Sequence, residues 1–358
     1  MNQLFLEDGR TPSQHRSWVT QFEKPGTRRA VLGTNGWAIS VATHFDIEYF
    51  LDDNLAETTL LGKPVLPVMS GEREVMTLSC ALMRPLTARH VLQSVVDSQL
   101  DYYSFLRFTS APVKGIEFLS DREIWEPASH LRLANVRESF YDEESQDTWD
   151  RVVRLRRDLD LDAMVVFSDR QATQYFEPFL HLDTSQSFFD VGGFDGFTTQ
   201  CAIERYGPDL KCHIFEPNGS MLSQLHERFS SLQNVEIHNF GLSSQSGHLQ
   251  FEPNGSSSRT GIGSQRVPVR TLDELGFTSA DFIKVDIEGS EDDFLRGASR
   301  TITALQPLLA IACYHRNEQL ASIYEKVRTL LPDARVYLRH YTEGFPETDI
   351  FFVPPRFW

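Results

Sequence analysis

The stretch Ser187–Gln200 reads SFFDVGGFDGFTTQ. Its first residues are apolar and β-forming, as a buried strand requires. Asp190 stands at the end of that strand. Gly192, Gly193 and Gly196 then strip the side chains from a turn, and a helix-like segment follows. Glycine tolerates positive φ and lets backbone approach another group closely. The segment therefore predicts a strand–turn–helix opening with bare backbone at the strand's carboxyl end.

Outward from this turn the chain alternates strand and helix. The pattern predicts strands over Phe188–Val191, Cys212–Phe215, Val235–Phe240, Phe282–Val285 and Leu308–Ala312. The helices between them are expected at Thr198–Tyr206, Gly219–Phe229, Glu291–Ala298 and Asn317–Leu331. Closing strands are expected at Arg335–His340 and Ile350–Val353. Repeated βα units argue for a largely parallel sheet covered on both faces. Ligands of such sheets sit at the carboxyl ends of the strands.

Those ends carry acids. Asp190 in the turn would repel a pyrophosphate and accept hydrogen bonds from an amine or cationic ligand. DVGGFDG also departs from the GxGxxG dinucleotide fingerprint. An aminoacyl sulfonium fits this turn better than a dinucleotide. Glu216, ending the next strand in HIFEP, is placed to take both hydroxyls of a ribose. FIKVDIEGSEDDFLRGA puts Asp286 at the end of the strand beside the first, and Glu288 two residues on. Glu291 opens a helix, where an acid suits the dipole and reads as structural.

The N-terminal region holds a second such opening, RRAVLGTNGWAISVA (28–42), with acids in FLDDN. It lacks the full GxGxxG. Strands follow near 47–54 and 62–68, then an apolar segment, 75–82, and a helix, 88–100. The expected organisation is a Rossmann-like domain over 1–120, a helical connector over 121–180, and the main domain over 181–358.

Composition sets limits. The chain has 358 residues, 41% hydrophobic and 23% charged, with a net charge of −16. That charge argues against a nucleic-acid partner. The basic run RVVRLRRD reads as a solvated helix face. There is no apolar run of membrane-spanning length and no secretory pattern at the start, so a cytoplasmic protein with no membrane partner is expected. The four cysteines read as reduced thiols.

FFDVGGFDG, IFEPN, NFGLSS and IKVDIEGSE occur in the order and spacing of the FkbM-type family of S-adenosylmethionine-dependent methyltransferases. The resemblance covers roughly residues 170–355. It implies a class I, Rossmann-like methyltransferase domain with a mostly parallel seven-stranded sheet whose last strand is antiparallel. It implies S-adenosyl-L-methionine as cofactor and a hydroxyl of a sugar, glycan or natural product as acceptor. By motif position, Asp190, Gly192, Gly193 and Gly196 would hold the methionine end, Glu216 the ribose, and Asn239 to Leu242 the adenine. Tyr175 would add an upstream cofactor contact, and Asp286 would border the same cofactor.

An alcohol acceptor needs a proton acceptor. His315, after the fifth strand, is the expected base, with Asp286 and Glu288 to orient it or bind substrate hydroxyls; His340 and Tyr314 are alternatives. These carboxylates and His315 offer magnesium ligands, but the residue types do not demand a metal and none is expected. The polar loop 252–265 is either a lid or a mobile hairpin tip. The N-terminal region leaves open an NAD-linked or nucleotide-sugar function, a homodimer contact, or a cover for the cleft. A non-catalytic scaffold that keeps the cofactor pocket is the remaining alternative.

Overall fold

The computed structural model describes residues 11–183, 186–252, 259–260 and 265–358. Part of the expected lid, 253–258 and 261–264, lies outside the described residues. The chain divides into two compact units. The first comprises residues 1–125, 148–170 and 341–346, and the second 126–147, 171–340 and 347–358.

The first unit runs α1 (Pro12–Glu23), β1 (Arg29–Leu32), α2 (Gly36–His44), β2 (Tyr49–Leu51), β3 (Thr58–Leu60), β4 (Lys63–Leu66), β5 (Met76–Ser79), α3 (Pro85–Gln93), β6 (Gln99–Asp101) and α4 (Tyr102–Phe108). Its sheet has the order β3-β4-β2-β1-β5-β6. All pairings are parallel except β3 with β4. The period-two alternation of strands sends neighbouring side chains to opposite faces. Val31, Phe50 and Leu78 enter one apolar cluster, and Ala30, Leu32, Tyr49 and Leu51 the other. The helix expected to reach residue 100 stops at Gln93, and Gln99–Asp101 adds a strand instead. The Gln99 and Asp101 side chains are buried there, a tertiary demand that helical periodicity does not reveal.

Next come α5 (His130–Glu138) and α6 (Glu143–Asp158), and the chain passes from one unit to the other within α6. The second unit then builds β7 (Ser187–Val191), α7 (Phe197–Tyr206), β8 (Lys211–Phe215), α8 (Gly219–Phe229), β9 (Val235–His238), β10 (Gly241–Leu242), β11 (Gly247–Glu252), β12 (Arg259–Thr260), β13 (Gln265–Arg270), β14 (Phe282–Val285), α9 (Glu291–Gly297), α10 (Ser299–Leu305), β15 (Leu308–Ala312), α11 (Gln319–Leu330), β16 (Arg335–His340) and β17 (Thr348–Val353). β10 to β13 form a small separate sheet.

The main sheet has seven strands in the order β16-β17-β15-β14-β7-β8-β9. It is mixed: β15, β14, β7, β8 and β9 pair in parallel, whereas β17 runs antiparallel to both its neighbours. Its central strands SFFDV, FIKV and LLAIA are buried throughout, as strands covered on both faces must be. β7 has its successor β8 on one side and the later strand β14 on the other. In open α/β sheets such a switch in strand order places a crevice at the strands' carboxyl ends, the usual ligand position. Among the described residues no helix is long and apolar enough to cross a membrane.

Candidate functional site

Three features of the glycine turn after β7 follow from packing within the second unit. Gly192 has φ +80°, and a Cβ there would collide with the carbonyl oxygen of Asp286. A Cβ on Gly193 would strike Ile214. Gly196 has φ +81°, and a Cβ would lie 2.6 Å from the Phe229 ring. The turn is thus stripped so that β14's continuation and α8 can close against it.

Asp190 is fully buried. Its carboxylate accepts from Lys284 Nζ at 2.9 Å and from Thr199 Oγ1 at 2.8 Å. Lys284 also donates to the Gly192 carbonyl at 2.7 Å. Asp190 therefore fixes the turn through Lys284 and α7. Burial pulls the Lys284 ammonium down, but Asp190 and Asp286 outweigh it and leave the pKa raised.

Glu216, just past β8, is also buried. It accepts from Phe194 N at 2.9 Å and Asn218 N at 2.7 Å. Burial raises its pKa against those two bonds. The acid expected at the second strand's end is therefore joined to the glycine turn itself. Asn239 is exposed in the bend after β9, and Leu242 is buried in β10.

A second group gathers at the ends of β14 and β15. His315 Nε2 lies 3.5 Å from Asp286 Oδ1 and 3.3 Å from Glu288 Oε2, and its Nδ1 lies 3.2 Å from Glu291 Oε1. Glu291 has no exposed surface. It also accepts from Ile287 N at 2.9 Å and from the Gln319 side chain. Its place at the start of α9 is as expected, but it serves His315 as well as the helix. Burial alone would push the His315 imidazole down; Glu291, Glu288 and Asp286 override it and hold the pKa well above the ordinary value. Burial raises Glu288. Tyr175 donates to Asp286 at 2.9 Å, which ties this expected cofactor contact to the acid group. Of the alternative bases, Tyr314 packs against His315 in a tilted arrangement with ring centroids 4.1 Å apart. His340 instead hydrogen-bonds Thr348.

Sequence reasoning missed three members. Gln174 Nε2 donates to Glu347 at 2.8 Å and to Asp349 at 2.9 Å. Burial and Asp286 push Glu347 up to about 7. Burial and Glu347 raise Asp349 well above the usual carboxylate range. Their signal was slight: acids at the mouth of an otherwise apolar closing strand. Tyr175, Glu288 and Glu347 have φ of 69°, 56° and 63°. Left-handed non-glycine residues are uncommon and concentrate at functional sites.

In the first unit, Asn35 Oδ1 accepts from Trp37 N and Ala38 N, both at 3.1 Å. Thr34 donates to Asp52 at 2.7 Å. The N-terminal turn thus caps its own helix, with those two amide donors already engaged.

Residues 190–342 match the family model described as the methyltransferase FkbM domain. The methyltransferase FkbM structure from Methylobacillus flagellatus KT is similar at TM-score 0.75 and 20% identity, over 94% of this chain and 92% of that one. Aeropyrum pernix fibrillarin, solved with natively bound S-adenosyl-L-methionine, is matched at TM-score 0.34 and 12% identity, over 51% of this chain and 71% of that one. No curated protein matches the chain. The resemblance to the FkbM-type family read from the sequence holds over residues 190–342, and the chain shares its fold with the Methylobacillus protein.

Proposed function

We propose that the protein is a class I, Rossmann-like O-methyltransferase that uses S-adenosyl-L-methionine to methylate a hydroxyl of a sugar or natural-product acceptor. One observation carries the reading. The switch in strand order between the parallel strands β7 and β14 sets a glycine turn joined to Glu216 beside an imidazole–carboxylate group built on Asp286, Glu288 and His315. The first suits a cofactor, and the second suits an alcohol.

The donor set fits the cofactor. Glu216 would take the ribose hydroxyls, the turn at Gly192, Gly193 and Gly196 would lie along the methionine part, and Asn239 and Leu242 would flank the adenine. Asp190 would act from behind, through Lys284. When bound, the cofactor supplies an electrophilic methyl carried on a sulfonium. The chain's own tasks are alignment and care of the acceptor's proton. Glu291, Glu288 and Asp286 surround the His315 imidazole and raise its pKa against its burial. Asp286 and Glu288 are the acceptors for the hydroxyl hydrogen, and His315 sets their position.

Calorimetric titration of S-adenosylmethionine and S-adenosylhomocysteine into the wild type and Glu216→Ala tests the reading. Binding that is lost in the variant supports it. A wild type that binds neither overturns it.

A further inference from the structure

We propose that Asp286, Glu288 and His315 form a site for a hard divalent cation of the magnesium or manganese kind, with Glu291 holding the imidazole from behind. The inference rests on the methyltransferase reading for its role, but not for its geometry.

Two carboxylate oxygens already approach one imidazole nitrogen. His315 Nε2 stands 3.5 Å from Asp286 Oδ1 and 3.3 Å from Glu288 Oε2. Ligands about 2.1 Å from a small cation stand roughly 3 Å apart at octahedral angles. Each of these two contacts exceeds that spacing by a few tenths of an ångström. Asp286, Glu291 and His315 offer ligand atoms that all lie within 4.8 Å of one another.

The support behind the imidazole has the form metal sites use. A ligating histidine gives its other ring N–H to a carboxylate, which fixes ring and tautomer. Glu291 Oε1 lies 3.2 Å from His315 Nδ1. It is itself pinned by Ile287 N and Gln319. Nε2 is left facing Asp286 and Glu288.

Asp349, which shares the Gln174 amide with Glu347, adds a further acid to this end of the sheet. It is fully buried, and its Oδ1 has no hydrogen-bond partner among the described residues. Its charge interacts with Glu347 and Asp286. A buried acceptor left without a donor is costly, and more so among other carboxylates. Lys284 is already engaged by Asp190 and the Gly192 carbonyl. A cation with its bound waters would supply both charge and donors. Carboxylates with a single imidazole suit a hard ion better than a soft one. Its open positions would take the acceptor's hydroxyl oxygen, lowering that oxygen's proton affinity and aiming it.

The test is Mn2+ binding to the full-length chain, stripped of metal with a chelator and read by the electron paramagnetic resonance of free Mn2+. The wild type should bind Mn2+. Asp286→Asn and Glu288→Gln, at partly exposed positions, should each weaken binding about tenfold or more, with folding checked by circular dichroism. Glu216→Ala should bind Mn2+ as the wild type does. No binding by the wild type at millimolar Mn2+ overturns the proposal, whatever the variants do. Unchanged binding in both folded variants also overturns it. S-adenosylhomocysteine calorimetry on the same samples separates the two readings. Cofactor binding without Mn2+ binding removes the cation site alone. Mn2+ binding without cofactor binding removes the methyltransferase reading and leaves the cation site.

Discussion

Lys284 and Asp190 face each other across the β14–β7 register, with the ammonium 2.9 Å from the carboxylate and both side chains almost wholly buried. The same ammonium holds the Gly192 carbonyl. One charge pair therefore locks the two strands that flank the crevice and the turn proposed to meet the cofactor.

Breaking a buried pair leaves an uncompensated charge, which costs about 3–5 kcal/mol, whereas replacing both partners with apolar groups of similar size is often neutral. Lys284→Met should therefore lower stability by about that amount. The double variant Lys284→Met, Asp190→Leu should recover much of the loss. Urea unfolding of the single and double variants checks this. Equal losses in the two would show that the lysine acts through Gly192 rather than through Asp190.

Glycine position makes a sharper contrast. At Gly192 a methyl group would meet both a left-handed φ and the Asp286 carbonyl. At Gly219, the first residue of α8, an added Cβ would meet nothing within 4 Å among the described residues, and φ is not positive. Gly192→Ala should fail to accumulate as folded protein or melt far below the wild type. Gly219→Ala should be neutral or raise stability by about 0.4–1 kcal/mol, because it restricts the unfolded chain. Differential scanning calorimetry decides. A stable Gly192→Ala would mean that the β14 continuation does not pack against the turn.

Much of the second unit is legible because its strands announce themselves as apolar runs ending in acids or glycines. Phe188–Val191, Phe282–Val285 and Leu308–Ala312 are such runs, and each lies where the pattern places it. Asp286, Glu288 and His315 are legible for the same reason, since strand ends face ligands in this architecture. Glu347 and Asp349 are not, because they precede and open a strand that runs the opposite way. Only the antiparallel β15–β17 pairing brings them to the same end of the sheet. The role of Asp190 is also hidden, because a lone acid in a turn reads as a ligand until Lys284 is seen in register beside it. β6 was lost to a helical pattern because a three-residue strand carries too little periodicity to register.

His213 and His238 give a pH dependence. His213 Nδ1 and His238 Nε2 are 3.2 Å apart on β8 and β9, and Phe215 stacks on the His238 ring. Burial lowers both pKa values, and His238 lowers His213 further. The folded state thus favours neutral rings. Below about pH 6.5 the unfolded chain takes up more protons than the folded one. The pair's contribution is fully present above that value and falls as the pH drops toward the lowered folded pKa values. The melting temperature of the wild type should therefore fall more between about pH 8 and about pH 5.5 than that of His213→Gln. Parallel losses in the two proteins would place the acid sensitivity elsewhere.

Glu288 is the member of the acid group whose removal best separates chemistry from binding. Its carboxylate reaches His315 and is partly exposed, whereas Glu291 is wholly enclosed. Glu288→Gln keeps the shape and deletes the charge. General-base assistance is typically worth 10²–10⁴-fold, so kcat should fall by about that range once an acceptor is found in a screen of hydroxylated sugars and natural products. S-adenosylhomocysteine affinity should stay within about threefold of the wild type, because the cofactor's proposed contacts lie at the turn and at Glu216. A fall in cofactor affinity with kcat unchanged would move Glu288 from the acceptor side of the crevice to the cofactor side. Unchanged values of both would remove it from the site, and would leave Asp286 as the carboxylate that meets the hydroxyl.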